Sequence, residues 1–226
     1  MCRNLLLTLL LPGTLAASAQ VRSFQGNVGG DLGISIPQGE FADTWGKNMF
    51  NLGGQLTLPS RLLPFQWGFA FDYSAMGGAR RTVPVARPEL TATEGKLAVN
   101  AKVMSYHPLL RFSPSKGKVR PYVDGMVGFR QFTTKSTVTV DGLHEPILRE
   151  RNANDFALST GWAAGLMVTW GGIGYVEARV ERFYSGKASY VDPSSIEVDD
   201  QGAVGFGTKE SGTGALNLMV GVGLRF

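Results

Sequence analysis

Two histidines, one acidic tract and a set of charged residues spaced two apart are the residues of this chain that bear on chemistry. His107 stands two positions after Ser105, and His144 stands between Leu143 and Glu145. A histidine base beside a serine, with an acid to orient it, would serve acyl transfer or hydrolysis. His107 is followed by Pro108 inside a strand-like run, and His144 has no adjacent serine. Each is therefore expected to be an ordinary polar residue. The tract Glu197-Val198-Asp199-Asp200-Gln201-Gly202 offers carboxylate oxygens to Ca²⁺, but without the alternating ligand spacing of a calcium loop, so a solvated loop is expected. On these grounds no catalytic site, no metal and no cofactor are expected.

The remaining charges sit in a regular frame. From Val28 to Ile36 every even position is apolar or glycine, while Asn27, Asp31 and Ser35 stand opposite, which is the strand period. The same alternation runs through Phe50 to Leu58 and through Phe65 to Tyr73, where Asp72 lies on the polar face. A fourth strand sets Leu97, Val99, Ala101 and Val103 against Asn100 and Lys102; near Met104-Ser105 the apolar phase slips towards Tyr106, Leu110 and Phe112. A β-bulge is expected there, next to Pro108, which cannot donate to a ladder. A fifth strand from Pro121 to Arg130 places Asp124 and Arg130 opposite its apolar face. A sixth runs from Phe156 to Trp170, and a seventh places Glu177, Arg179 and Glu181 in one row. In the eighth, Leu216, Leu218, Val220, Val222, Leu224 and Phe226 face one way, with Arg225 on the other face.

With 226 residues the chain has the size of one domain. Its one long apolar run, Leu5 to Ala17, is too short to cross a bilayer as a helix. With Arg3 before it and Ala17-Ser18-Ala19 after it, the run reads as a signal peptide over residues 1–19, cut to leave Gln20 first and a domain over 20–226. Cys2, the only cysteine, falls in the removed segment, so acyl anchoring and disulfides are not expected. The formal charge of +4 falls to +3 when Arg3 is lost, too little and too dispersed for nucleic-acid binding.

Connections alternate in length. Short turns at Pro59 to Pro64, Ser113 to Lys118 and Gly171-Gly172 separate long ones at Pro37 to Met49, Ala75 to Gly95, roughly 134–154 and roughly 185–214. An all-β fold, an eight-stranded antiparallel up-and-down transmembrane β-barrel, satisfies this order with both termini on the short-turn side. A soluble barrel would turn its apolar face inward. Here the apolar face carries Phe, Trp and Leu on nearly every strand, more than a small cavity holds, and the other face is rich in Gly, Ala and Ser. Lipid is the better partner for the apolar face, and Phe65, Trp67, Trp170 and Phe226 near one set of ends, with Tyr73 and Phe156 near the other, suit interfacial girdles. The inward face then carries Asp31, Asp72, Asp124, Glu177 and Glu181 against Lys102, Arg130, Arg179 and Arg225. An eight-stranded barrel is only wide enough for its own side chains, so these charges are expected to pair and plug the lumen. Glu177, Arg179 and Glu181 are the expected centre, with Arg130 and Lys102 as cross-lumen partners.

The chain resembles the small outer-membrane barrel proteins of the OmpA and OmpX type, particularly those of Bacteroidota, over roughly Phe24 to Phe226. The most specific element is the last strand. Its row Leu218, Val220, Val222, Leu224 and Phe226 is similar to the terminal signal read by the barrel-assembly machinery. The stretches Arg120-Pro121-Tyr122-Val123-Asp124-Gly125 and Ile36-Pro37-Gln38-Gly39-Glu40-Phe41 look like recurrent features of such barrels. The resemblance implies the cell outer membrane, periplasmic termini and extracellular long loops. It also implies outer-membrane lipid and lipopolysaccharide as surroundings, and a monomer. Arg80, Arg81 and Arg87 could meet lipopolysaccharide phosphates, or be loop charge without a specific ligand. No peptidoglycan-binding domain follows the barrel in this sequence. The leading expectation is a non-enzymatic barrel presenting long loops for envelope integrity or surface interaction. A narrow diffusion channel, a lipid A enzyme and an accessory barrel of a secretion system are the alternatives.

Overall fold

The computed structural model describes residues 26–60, 64–84, 94–114, 117–140, 145–146, 148–198 and 204–226. The segment read as a signal peptide, His144, Arg87 and residues 199–203 lie outside them. Eight long strands form the wall: β1 (Asn27–Pro37), β2 (Met49–Pro59), β3 (Phe65–Pro84), β4 (Glu94–Phe112), β5 (Val119–Thr139), β6 (Leu148–Trp170), β7 (Gly174–Ser185) and a last strand, β12 (Ala215–Arg225). They close in the order β1-β12-β7-β6-β5-β4-β3-β2, every neighbour antiparallel. The expected architecture is therefore the observed one. Between β7 and β12 lie four short strands, β8 (Lys187–Val191), β9 (Glu197–Val198), β10 (Val204–Gly205) and β11 (Thr208–Gly212), and a 3₁₀ turn, η1 (Pro193–Ser195). A short helix, α1 (Glu40–Trp45), follows β1.

Closure depends on the small residues of the wall. Asn27 to Pro37 of β1 pair with Arg225 to Ala215 of β12 without a break in register. Gly33 lies so close to β12 that a methyl on it would stand 1.9 Å from the Leu218 carbonyl oxygen. At the other end of β6 the chain reverses through Gly171 and Gly172, whose φ of 60° and 89° are open to glycine at little cost.

The outer wall is an apolar belt. Trp67, Val127, Trp170 and Phe226 are each more than half exposed, and Leu158 reaches 83%. On the β3 to β6 side the belt is aromatic, with Phe71, Tyr106, Phe129 and Phe156 in a chain of ring contacts 5.1–5.9 Å between centroids.

Four strands run on beyond this belt. β3, β4, β5 and β6 have 20, 19, 21 and 23 residues against 11 or 12 in the other four. Much of the segments 75–95 and 134–154, expected as loops, is strand. The expected bulge in β4 is also corrected. Odd-numbered residues of β4 from Gly95 to Arg111 are buried without interruption, and its register with β5 does not shift across Pro108. What changes near Met104 is the polarity of each face. Below, Ser105, His107 and Arg111 face the lumen; above, Leu97, Val99, Ala101 and Val103 face inward instead of joining the outer belt. The bulge belongs to β3, where the register shifts between Ala75 and Gly77.

Those inward apolar residues meet a cap. Phe41 and Trp45 of α1 pack with Met49, Met76, Phe132 and Tyr190 over the barrel mouth. Val83, Leu97, Val99, Val138, Val191 and Ile196 form a second cluster. Phe41 meets Phe132 and Tyr190 edge-on at 6.0 and 5.5 Å. The β8–β11 hairpin is tied down by Glu40, whose carboxylate accepts from the Gly212 amide at 2.7 Å.

Candidate functional site: a charged lumen under an apolar cap

Alternation sends every second side chain of the wall inward, and the lower lumen collects the charged ones. Arg111 and Asp124 are direct partners in the β4–β5 ladder, so their side chains leave the wall side by side. Arg111 donates from Nε to Asp124 Oδ1 at 2.7 Å and from Nη2 to Oδ2 at 2.8 Å, the bidentate geometry in which Arg and carboxylate pair most strongly. Arg179, two strands away on β7, donates from Nη1 to the same Asp124 Oδ2 at 2.5 Å and from Nε to Glu181 Oε1 at 2.6 Å. The Asn217 amide donates to the other Glu181 oxygen at 3.0 Å.

Neutral groups complete the network. Gln55 accepts from Arg111 at 2.5 Å and donates to Glu177. The Tyr122 hydroxyl donates to Glu177 at 2.8 Å and accepts from Arg179 at 3.3 Å, with the Arg111 guanidinium 3.7 Å over its ring. Tyr122 lies flat on Gly165, where an added methyl would stand 2.4 Å from the ring. Arg111, Asp124, Arg179 and Glu181 are each at most 2% exposed. Charges so far from water are tolerable only when paired and hydrogen-bonded, which is what this network supplies.

Of the residues expected here, Asp124, Glu177, Arg179 and Glu181 are brought together, and Asp31, Asp72 and Arg130 face the same lumen. Asp31 and Asp72 lean from β1 and β3 over Gly53 of β2, where a methyl would meet Asp31 Oδ1 at 2.1 Å and Asp72 Oδ1 at 3.0 Å. Asn51 donates to Asp72 Oδ1 at 3.3 Å. Arg130 bonds the Ser105 hydroxyl at 3.3 Å and the Thr213 carbonyl, so it ties the lumen to the cap and does not pair with the β7 charges. Arg225 points inward at the short-turn end, apart from the network, and its Nε has no hydrogen-bond partner among the described residues.

Lys102 is the clear correction. It lies on the outer face of β4, with Nζ 5.8 Å from the Tyr73 ring centroid. The apolar residues flanking it belong to the cap core, so the lysine takes the opposite face. The same inversion hid Arg111, the second partner of Asp124; reading β4 in one unbroken phase back from Phe112 would have found it.

His107 is fully buried and stacks on Phe183 at 4.6 Å, and neither ring nitrogen has a hydrogen-bond partner among the described residues. Ser105 accepts from Arg130 Nε and makes no hydrogen bond to either His107 nitrogen, so the two are not placed as a nucleophile and base pair. Leu218, Val220, Val222 and Leu224 of β12, with Phe226 just after it, are all exposed and form one outward row.

No protein-family model and no curated protein matches the chain. Solved structures similar to it include proteins described as outer-membrane proteins. Neisserial surface protein A has a TM-score of 0.41 and 11% identity, covering 90% of this chain and 97% of that one. A major outer membrane protein of Thermus thermophilus has 0.49 and 12%, covering 90% and 100%. Ail of Yersinia pestis has 0.40 and 15%, covering 90% and 97%. The fold described above rests on this chain's own strand register.

Proposed function

We propose that the protein is an outer-membrane barrel whose wall is an anchor and not a conduit, with a structured long-loop end presented to the cell exterior for envelope integrity or surface interaction. The observation that carries this reading is the opposition of its two faces: an apolar, aromatic outer belt around a lumen filled by a buried ion network and sealed by an apolar core. Lipid is the medium in which that outer surface is favourable, since water would be met by a contiguous apolar band on every strand. The packed lumen weighs against a diffusion channel. The lumen network also supplies a non-catalytic reason for its buried charges, which favours a non-enzymatic barrel.

The orientation follows from loop length, with the cap and the extended β3 to β6 wall outside and Gly171-Gly172 in the periplasm. If the signal peptide is removed as expected, the mature chain contains no cysteine. Lys187→Cys, at the base of the exposed hairpin, and Gly172→Cys, in the short turn, then report the two sides. A membrane-impermeant maleimide should label Lys187→Cys in intact cells and Gly172→Cys only after the outer membrane is opened. The reverse pattern would overturn the orientation, and labelling of both in a soluble fraction would overturn the membrane reading.

A further inference from the structure

The part of the wall above the belt carries its own charge pattern, on its outer face. Direct ladder partners share a face, so the rows can be read across strands. Lys102 lies in a row with Thr133 and Asn154; Asn100 with Lys135 and Arg151; Arg80 with Ala98, Thr137 and Arg149; Thr82 with Lys96 and Thr139. Six bases thus stand on one face of β3 to β6, interleaved with hydroxyls and amides. Among the described residues the one acid the register places on that face is Glu94, at its upper edge. Arg80, Thr82, Lys96 and Thr139 of this face line a groove of about 440 Å³, which Arg81 and Leu97 border from the other face. Lys135, Arg149 and Arg151 are exposed.

This face continues the belt directly, since Lys102 reaches back over Tyr73. In a membrane its lowest bases would lie at the head-group layer. Three further rows rise above Lys102, each about 6.6 Å further along the strand. Even after allowing for strand tilt, the basic face is taller than the roughly 7 Å polar layer of a phospholipid leaflet. A head group that fills it must carry several anions at different heights on a sugar scaffold, and Arg with interleaved hydroxyls suits phosphate oxygens.

We propose that the outer face of the extended β3 to β6 wall is a binding surface for the phosphorylated saccharide head group of a glycolipid in the surrounding outer leaflet. This deepens the membrane reading above and rests on it.

The test uses the full barrel, purified from membranes in detergent, and a Lys135→Glu/Arg149→Glu/Arg151→Glu variant. These positions are exposed, so the variant should keep the heat-modifiable mobility of a folded barrel, which is checked first. Each protein is titrated with purified lipopolysaccharide, with the same material chemically dephosphorylated, and with inorganic tripolyphosphate. The natural protein should bind intact lipopolysaccharide at least tenfold more tightly than the variant does, and at least tenfold more tightly than it binds the dephosphorylated form. Equal affinities in either comparison would overturn the proposal. Tripolyphosphate bound as tightly as lipopolysaccharide would overturn the lipid assignment in favour of a free polyanion. If the triple variant does not fold, Lys135→Gln and Arg151→Gln, each alone, should still weaken binding several-fold, and unchanged binding in both would overturn the proposal. A natural protein recovered in the soluble fraction would instead fail the membrane reading.

Discussion

Arg179 on β7 and Asp124 on β5 meet at 2.5 Å across a strand that separates them, so the lumen is braced by side chains that bypass the backbone ladder. Asp124 also holds Arg111, which makes one carboxylate the common partner of two buried guanidinium groups. Removing it should cost more than removing any single base.

Asp124→Ala is therefore expected to destabilise the barrel by about 3–5 kcal/mol, the range for breaking a buried pair and leaving charge uncompensated. Lys102→Ala, on the outer face, should cost less than about 1 kcal/mol. Urea unfolding in lipid vesicles, followed by tryptophan fluorescence, compares the two. Similar midpoints would show that the network does not brace the wall.

The seam between first and last strand is expected to be intolerant of a single methyl. Gly33→Ala places carbon 1.9 Å from the Leu218 carbonyl oxygen and 2.8 Å from the Met219 Cα, and both are backbone. Neither can move without opening β1 from β12. Gly54→Ala, on the neighbouring strand with its nearest atom at 3.7 Å, is the matched control. Folded barrel on unheated gels should be nearly lost for Gly33→Ala and unchanged for Gly54→Ala.

How much of this was legible in the sequence depends on which side of the belt a residue lies. Within the belt, apolar residues face out and polar residues in, and period two alone placed Asp31, Asp72, Asp124, Glu177, Arg179 and Glu181 in the lumen. Above it, the wall has a cap inside and the opposite polarity outside. Leu97, Val99, Ala101 and Val103 therefore looked lipid-facing, Lys102 looked inward, and the inversion looked like a bulge. The cap itself left little trace. Phe41 and Trp45 sit on a helix of six residues, too short for a helical period to register, and Tyr190 lies in a loop-like stretch. Partners such as Gln55, Tyr122 and Asn217 carry no charge, so only the three-dimensional register reveals them.

The cap should be separable from the wall. Phe41→Ala removes a ring that touches both Phe132 and Tyr190, and truncating a buried aromatic typically costs about 3–5 kcal/mol. That loss falls on α1 and the β8–β11 hairpin, which the Arg111, Asp124, Arg179 and Glu181 network does not touch; the lumen reaches this end through Arg130, at the Thr213 carbonyl. Protease added outside intact cells should cut the hairpin of the variant at least several-fold faster than that of the natural protein, while the strands stay resistant. Equal rates would mean that the cap is held by something other than this core.

Deletion of Phe226 should impair assembly more than it loosens the finished barrel. The residue contributes two backbone hydrogen bonds with Gly26, at 2.8 and 3.1 Å, at the very end of the seam. The rest of the β1–β12 ladder survives its loss. The yield of inserted protein at native expression should fall markedly, while the urea midpoint of what does insert moves little. Unchanged yield would contradict a role for the terminal aromatic in assembly.

Conductance across a planar bilayer tests the central claim most directly. With the lumen occupied by the Arg111, Asp124, Arg179 and Glu181 network and the mouth covered by Phe41, Trp45 and Tyr190, the natural protein should show no reproducible channel of porin-like size. Asp124→Ala combined with Phe41→Ala should introduce openings by removing material from both tiers. Steady porin-like conductance from the natural protein, reconstituted alone, would contradict the account of a plugged anchor and leave a diffusion channel in its place.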